Sequence, residues 1–306
     1  MIVIKPEVVT TTKLIASNVP ISDFPLWVSG TNYSIGQRVY FQPMGAPYPR
    51  DYEAIMTVGG AHHSIPPNEN PTHWLDIGAS KRFKMFDGSV SDGTINAGSI
   101  NVTLDMGAII TGLSLFNVDA ASVQVIVTDP IDGIIYDNFL VLDNYDAIIS
   151  WVAYYSEPVG ERQTDFNFLD LPSNYPAATV QVIANNGASP AKIGELVLGT
   201  QTKLAVTNFG TEIGITSYSR KEVDQFGNFI IVKRKNAKRV TYDVTYETNQ
   251  LYRAQQFFAN IDSTACVFIG DENRQETIVY GFYREFSVVI SNPSISSGSI
   301  QVDGLT

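Results

Sequence analysis

The feature that most constrains the fold of this chain is an alternation of apolar and polar residues with a period of two. It is clearest in residues 99–105, 122–127, 178–183, 239–246 and 299–303. Successive side chains of a strand point to opposite faces, so each run places its apolar groups on one side of a sheet. Turn dipeptides such as Asp87-Gly88 and Asp132-Gly133 separate the runs, as expected for antiparallel strands. The sequence therefore predicts a mainly β protein built from sandwiches or small barrels.

One segment departs from this alternation and predicts a helix. Its apolar residues recur at helical spacing and are Leu251, Ala254, Phe257, Phe258 and Ile261. Asn249 stands just before them, where a helix N-cap residue is expected. We therefore expect one amphipathic helix over about 250–261, packed on a sheet.

Charge and cysteine usage exclude several classes of function. The 306 residues include 20 Lys or Arg and 31 Asp or Glu, for a net charge of −11, which disfavours binding to nucleic-acid phosphates. Cys266 is the only cysteine and lies in an apolar run, which predicts a buried thiol without a disulfide. The sequence has no run of 18 apolar residues and no signal-peptide pattern, so we expect neither membrane insertion nor signal-directed export.

Composition changes along the chain and suggests four segments. Residues 20–78 are dense in proline and aromatic residues and hold all three histidines. Residues 86–195 carry 14 acidic residues but only Arg162 and Lys192, whereas residues 220–253 carry eight basic and four acidic residues. We expect an N-terminal strand or arm (1–19), a small β module (20–80), a central β domain (81–199) and a last β domain with the helix (200–306). Opposite charges on two segments suit a molecule that stacks on its own copies.

Patterns typical of catalysis or metal binding are weak in this sequence. His62, His63 and His73 are the only histidines, and the adjacent pair would face apart on a strand, which disfavours a metal site. Residues 87–93 are the best calcium candidate but lack EF-hand spacing. Phosphate-loop, nucleophile-elbow and zinc-helix motifs are absent from the sequence. We expect no enzyme activity and no cofactor, with a glycosidase built on the scattered acids as one alternative.

The second segment resembles a small carbohydrate-binding module of the chitin- and cellulose-binding kind. Trp27 and the runs 31–40, 52–54 and 71–76 carry the resemblance. It implies contact with glycans, because flat aromatic rings stack on the apolar faces of sugars. The candidate glycan contacts are Tyr48, Tyr52, Trp27 and Trp74. Of these we expect Trp27 and Trp74, with Tyr33, chiefly to fill the module's core, and Tyr48 and Tyr52 to be more exposed.

Two further resemblances cover the rest of the chain. The runs 100–104, 110–116, 122–127, 178–183 and 193–199 follow one another in an order that resembles a galactose-binding-type jelly roll over residues 81–199. The motifs at 194–199, 214–227, 238–243 and 279–286 resemble tail proteins of double-stranded DNA bacteriophages, of the minor tail, distal tail or baseplate type. This resemblance implies a virion structural protein at the tail tip, made in the host cytoplasm, with other tail proteins and host-surface polysaccharide as partners. It also implies a tail-ring-like β-sandwich at 200–306 that assembles as a symmetric ring or trimer.

The expected oligomer interface is a long basic hairpin in the last segment. Its basic residues are Arg220, Lys221, Lys233, Arg234, Lys235, Lys238 and Arg239. The alternative is that these residues merely keep an exposed sheet edge soluble, as lysines commonly do. At the level of the whole protein, a glycan-binding adhesin without a structural role is the main alternative.

Overall fold

The computed structural model describes residues 1–142, 150–156, 162–223, 226–227 and 229–305. The prediction of a mainly β protein is confirmed, because most regular elements of these ranges are strands. The strands of the first half are β1 (Ile2–Pro6), β2 (Leu14–Ser17), β3 (Arg38–Phe41), β4 (Arg50–Ala54), β5 (Trp74–Ala79), β6 (Thr94–Asp105), β7 (Gly112–Phe116), β8 (Ser122–Asp129), β9 (Gly133–Val141) and β10 (Phe166–Phe168). Those of the second half are β11 (Thr179–Ile193), β12 (Glu195–Lys203), β13 (Val206–Thr207), β14 (Glu212–Ser217), β15 (Arg220–Val223), β16 (Phe229–Val232), β17 (Asn236–Glu247), β18 (Cys266–Ile269), β19 (Ile278–Val289) and β20 (Ile295–Gly304).

Two α-helices lie within the described ranges. They are the short α1 (Trp151–Ser156) and α2 (Leu251–Asn260). The bounds of α2 agree with the predicted helix, but Asn249 is not its N-cap. Residues 248–250 form a 3-10 turn, and Gln250 enters α2 already in helical conformation without a capping hydrogen bond from a side chain. The 3-10 turn therefore takes the place of a capping side chain.

The central part of the chain is a sandwich of two antiparallel sheets. A five-stranded sheet has the order β2-β6-β11-β8-β9. It faces β7 and β12, which belong to a ten-stranded sheet with the order β10-β7-β12-β1-β18-β19-β20-β17-β13 and with β14 also on β17. The core between the sheets is aliphatic and includes Val102, Leu104, Leu113, Leu115, Val125, Val182, Leu196 and Leu198. This arrangement is consistent with the predicted jelly-roll type.

The ten-stranded sheet runs through both of the last two predicted segments, so the chain does not divide at residue 199. Strand β12 crosses that boundary. Of the two forms expected for residues 1–19, a strand or an arm, the structure has strands: β1 lies between β12 and β18, and β2 pairs with β6. Pairing between distant strands decides these boundaries, and local composition does not record it.

A second core lies under α2. Ala254 and Phe258 of the helix, and Ile261 directly after it, are buried against the last strands of the sheet. The Phe258 ring stacks on Phe286 at 4.6 Å between centroids. Cys266 is fully buried here, and burial raises the pKa of its thiol to about 12, as expected for a small apolar residue. Strand β19 crosses this core as one continuous strand with a bulge at residue 284.

The small module is inserted between β2 and β6. Its sheet has the order β3-β4-β5, and its separate core contains Tyr33, Val39, Tyr52 and Trp74. Within the described ranges, no helix is long and apolar enough to span a membrane.

Candidate functional site

Strands β14, β15, β16 and the first half of β17 form a two-stranded arm, most of whose described positions are exposed. At its base, Glu212–Ser217 pairs with residues 236–241 of β17. Farther out, β15 and β16 pair only with each other. Ser219 joins the two parts, because its hydroxyl accepts a hydrogen bond from the Arg234 backbone N–H at 3.1 Å. Glycine at 227, with φ of +84°, lies near the tip, where a left-handed conformation favours this residue.

One face of the outer arm is mainly apolar, with Lys221, paired with Ile231, as its one charged position. Val223 lies directly opposite Phe229 in the ladder, and Ile231 follows two residues later on the same face. Phe229 is 75% exposed and Ile231 is 65% exposed. At the base, Ile213 and Ile215 are also exposed on consecutive same-face positions. The other face of the outer arm carries the ion pair of Arg220 with Glu222. The ribbon thus has a mainly apolar face open to solvent and an opposite face of mixed character, on which Val232 and Ile230 pair with Arg220 and Glu222.

The seven predicted interface residues divide between the arm and the body of the protein. Lys233 and Arg234 are exposed on the arm, and Lys221 belongs to β15. Lys235 donates a hydrogen bond to the Ser91 hydroxyl.

The last two predicted interface residues, Lys238 and Arg239, bond to other parts of the same chain. The Lys238 ammonium donates to the Ile278 and Gln275 carbonyls at 2.7 and 2.8 Å, and burial lowers its pKa. Arg239 pairs with Asp303 at 3.2 Å. These contacts hold the base of the arm to β19 and β20, so Lys238 and Arg239 position the arm.

The aromatic residues of the small module are placed less favourably for sugar binding than predicted. Tyr52 is only 3% exposed, so the expectation that it is an exposed sugar contact is wrong. Trp74 is 2% exposed, and its ring lies edge-on to Tyr33 at 5.2 Å, which confirms its predicted place in the core. Both positions face the core because β4 and β5 each turn one face toward it.

Two candidate aromatic contacts remain partly exposed. Trp27 packs edge-on against Phe41 at 5.3 Å, and its indole N–H is buried without a partner among the described residues. Tyr48 stacks on Phe83 at 5.4 Å and packs on the core of the sandwich. Each ring is therefore already packed on at least one protein ring, and neither offers a fully open platform.

Two of the three histidines stack on each other, and the third contacts a serine instead. The rings of His62 and His73 lie 4.1 Å apart and nearly parallel, while His63 contacts the Ser64 hydroxyl. The described ranges hold no group of three His, Cys, Asp or Glu side chains that could bind a metal ion.

In the calcium candidate loop at 87–93, oxygen atoms that could bind a cation accept hydrogen bonds from protein donors. The Val90 carbonyl accepts a hydrogen bond from Asn117, and the Ser91 carbonyl accepts one from Lys192. The carboxylate of Asp87 accepts from the Ser89 backbone N–H. A cation would have to displace these donors, one of them a positive charge, so the loop is poorly suited to calcium.

The structure has a buried carboxyl group next to this loop that the sequence analysis does not single out. Glu195 is 3% exposed, and one of its oxygens accepts a hydrogen bond from the Gly88 backbone N–H at 3.1 Å. The other oxygen lies 3.4 Å from the Tyr280 hydroxyl. Burial, with the nearby charge of Asp87, raises the pKa of Glu195 to about 9. The group is closed off from solvent, which makes it a structural acid.

Several acidic residues counted in the charged segments lie outside the described ranges. They are Asp143, Asp146, Glu157 and Glu161 of the segment 86–195 and Asp224 of the segment 220–253.

Sequence reasoning found the basic arm but missed its apolar face. It also missed Phe209, an exposed ring at the turn between β13 and β14. A usable signal for both is an aromatic residue beside a turn glycine, as in Phe209-Gly210 and Phe226-Gly227.

Comparison with known proteins does not assign the chain to a family. The sequence matches no protein-family profile and no curated protein. Among solved structures, it is similar to a selenomethionine-labelled point mutant of chitosan-binding module 1 from a chitosanase/glucanase of Paenibacillus sp. IK-5. That match has 12% identity and a TM-score of 0.24, and covers 39% of this chain and 84% of the module. A TM-score this low carries no weight for function, and these matches do not support the resemblance to phage tail proteins.

Proposed function

We propose that this protein is a structural subunit that assembles with copies of itself, with the arm as its docking element. The observation that carries the proposal is the exposed apolar face of Val223, Phe229 and Ile231. Burial of each side chain against a neighbour would contribute about 1.5–3 kcal/mol. A two-stranded hairpin is marginal in water by itself, and exposed apolar surfaces of this kind commonly mark protein interfaces.

Charge favours a second copy as the partner. The arm displays Lys233 and Arg234, whereas residues 86–195 are strongly acidic. In that acidic segment, β9 is the outermost strand of its sheet, and Asp132 and Asp137 are exposed on or beside it. An arm docked on the acidic edge of the next copy is a head-to-tail contact, which can close into a ring.

For the setting of this assembly, we propose the tail tip or baseplate of a double-stranded DNA phage. The support is the resemblance of segments such as 214–227 and 279–286 to phage tail proteins. Other tail proteins would then be neighbours and host-surface polysaccharide a contact. Gold-labelled antibodies against the chain should mark the tail tip of intact virions. Particles that lack the protein would contradict this setting but leave self-assembly open.

The assembly itself is tested by removing the arm. Ser217 and Asn236 are paired at its base, so residues 218–235 can be replaced by Asn-Gly, a two-residue turn that suits a hairpin. Light scattering should show a homo-oligomer for the full chain and a monomer for the trimmed chain, with unchanged circular dichroism. A full chain that is monomeric at high concentration would overturn the proposal.

Point variants provide a matched control. Phe229→Asp should weaken self-association, because it places a charge in the proposed interface. Tyr252→Asp should have no such effect, since Tyr252 is equally exposed but lies on α2, away from the arm. Equal effects of both variants would mean that the arm has no special role.

An absence of hydrolase activity is also part of the proposal. A glycosidase needs two carboxyl groups that flank a cleft about 5–9.5 Å apart, whereas Glu195 is buried beneath Tyr280 and Gly88. Peptidoglycan and host polysaccharide should therefore remain intact after incubation with the protein. Cleavage that a single Asp or Glu substitution abolishes would contradict this expectation.

A further inference from the structure

A groove with a mixed polar and apolar lining lies where the two halves of the ten-stranded sheet meet. Two adjoining cavities of about 400 and 720 Å³ make it up, which is within the size range of small-ligand sites. Both are lined by Lys203, Glu272 and Asn273. One end reaches the turn at Phe209, and the other reaches Asn167 and Gln201. We call this feature the seam groove.

Phe209 provides an aromatic platform at the mouth of the seam groove. It is 94% exposed, and the Arg274 guanidinium lies over its ring at 5.9 Å from the centroid. A cation on one face holds the orientation of the ring and leaves the opposite face to solvent. Such a face can stack on the apolar face of a ligand.

The remaining lining supplies hydrogen-bonding groups. The side-chain amide of Asn273 has no partner among the described residues, and Gln201 Oε1 is buried without one. Gln201 lines the groove, and its Nε2 donates to the Leu169 carbonyl at 3.1 Å, so Oε1 is the atom of this amide left for a ligand hydroxyl. A buried acceptor without a donor calls for water or a ligand group.

The charges along the groove nearly cancel. Lys203 and Arg274 are opposed by Asp170, Asp271 and Glu272, and Arg274 pairs with Asp271 at 3.6 Å. A groove of mixed sign does not select an anion or a cation. It suits a neutral ligand that carries many hydroxyl groups on an otherwise apolar frame.

We infer that the seam groove binds a neutral oligosaccharide, with Phe209 as its stacking platform and with Gln201 and Asn273 as hydrogen-bonding groups. This inference does not rest on self-assembly. It places glycan contact at the junction of the sheet halves, away from the small module whose Tyr52 and Trp74 are buried.

Calorimetric titration of the full chain tests the inference. The probes are hexamers of glucose, N-acetylglucosamine and galactose, together with a cationic glucosamine hexamer and an anionic galacturonic acid hexamer. At least one neutral hexamer should bind. Phe209→Ala should weaken its affinity at least fivefold, Phe209→Trp should keep it within twofold, and the matched exposed-ring control Tyr252→Ala should leave it unchanged.

Three results would overturn the inference: no neutral hexamer binds, only a charged hexamer binds, or Phe209→Ala binds as tightly as the parent chain. Light scattering on the same samples reports the oligomeric state separately. If the protein forms oligomers but binds no sugar, the proposed function stands and the inference about the seam groove fails. If the protein is monomeric but binds sugar, the inference stands and the proposed function fails.

Discussion

At the residue scale, burial decides what an aromatic side chain can do. Trp74 fills the core of the small module, where few other large side chains contribute. Because a domain of this size buries little apolar surface, Trp74→Ala should lower the free energy of unfolding by about 3–5 kcal/mol. Urea unfolding followed by circular dichroism measures the change. Leu75→Ala, at the next and exposed position, is the control and should change it by less than about 0.5 kcal/mol.

Loss of sugar binding without loss of stability in Trp74→Ala would instead make Trp74 a glycan contact. Trp74→Phe separates two effects, because it keeps most of the ring volume but removes an indole N–H that has no partner among the described residues. Its cost should therefore be well below that of the alanine variant.

Glu195 should make stability fall as pH rises. The unfolded chain loses the Glu195 proton near its ordinary pKa of 4.5, whereas the folded protein keeps it until about pH 9. Between these values the folded state binds more protons than the unfolded state. The free energy of unfolding then drops by up to about 1.4 kcal/mol per pH unit from this group.

Glu195→Gln should flatten that dependence, since a neutral amide is buried at every pH. Unfolding curves at pH 5, 7 and 9 provide the comparison, and Glu212→Gln at an exposed position is the matched control. Equal pH slopes for the parent chain and Glu195→Gln would show that the carboxyl is ionised in the folded state.

At the element scale, the arm combines charge with apolar surface, and the two can be separated. Reversal of Lys233, Arg234 and Lys235 to Glu should weaken self-association, most strongly at low salt where such attraction is least screened. Adding Asp132→Lys and Asp137→Lys to the same chain should restore it, if the acidic edge beside β9 receives the arm. Sedimentation velocity at two salt concentrations measures both effects. Unchanged association of the triple variant would remove the basic arm residues from the interface.

Prediction from sequence succeeded where structure is local and failed where it depends on distant pairing. The spacing of Ala254 and Phe258 was enough to find α2, because a helix is stabilised by neighbours in sequence. The alternation also gave the strands of the sandwich. It could not reveal that β1 joins β12 to β18, since no local pattern records a partner about 200 residues away.

The candidate site followed the same rule. The sequence shows the basic residues of the arm as a run of charge. It does not show which of them are exposed on the arm and which bond to the body of the protein. Lys238 reaches the carbonyls of residues 275 and 278, and only the pairing of β17 with β20 brings Arg239 to Asp303. Tyr52 was misjudged because alternation tells which residues share a face but not which face meets the core.

At the scale of the whole molecule, the two halves of the large sheet depend on one strand. Val3 of β1 is fully buried in the second core and Ile4 on the opposite face. Val3→Asp should therefore destabilise the whole sheet by several kcal/mol, since it buries an unpaired charge. Differential scanning calorimetry should show a large fall in Tm, whereas the control Val8→Asp, at an exposed position, should leave Tm nearly unchanged.

The central place of β1 also sets an order of events during synthesis. Its first partner, β12, is complete only at residue 203, and its second, β18, only at residue 269. At translation rates of about 5–20 residues per second, roughly 10–50 s separate β1 from β18 on the ribosome. Throughout that time an apolar strand waits with at least one open edge, the kind of edge that recruits other chains. The nascent chain thus keeps an aggregation-prone edge until β18 has been made, and slower elongation would lengthen that exposure.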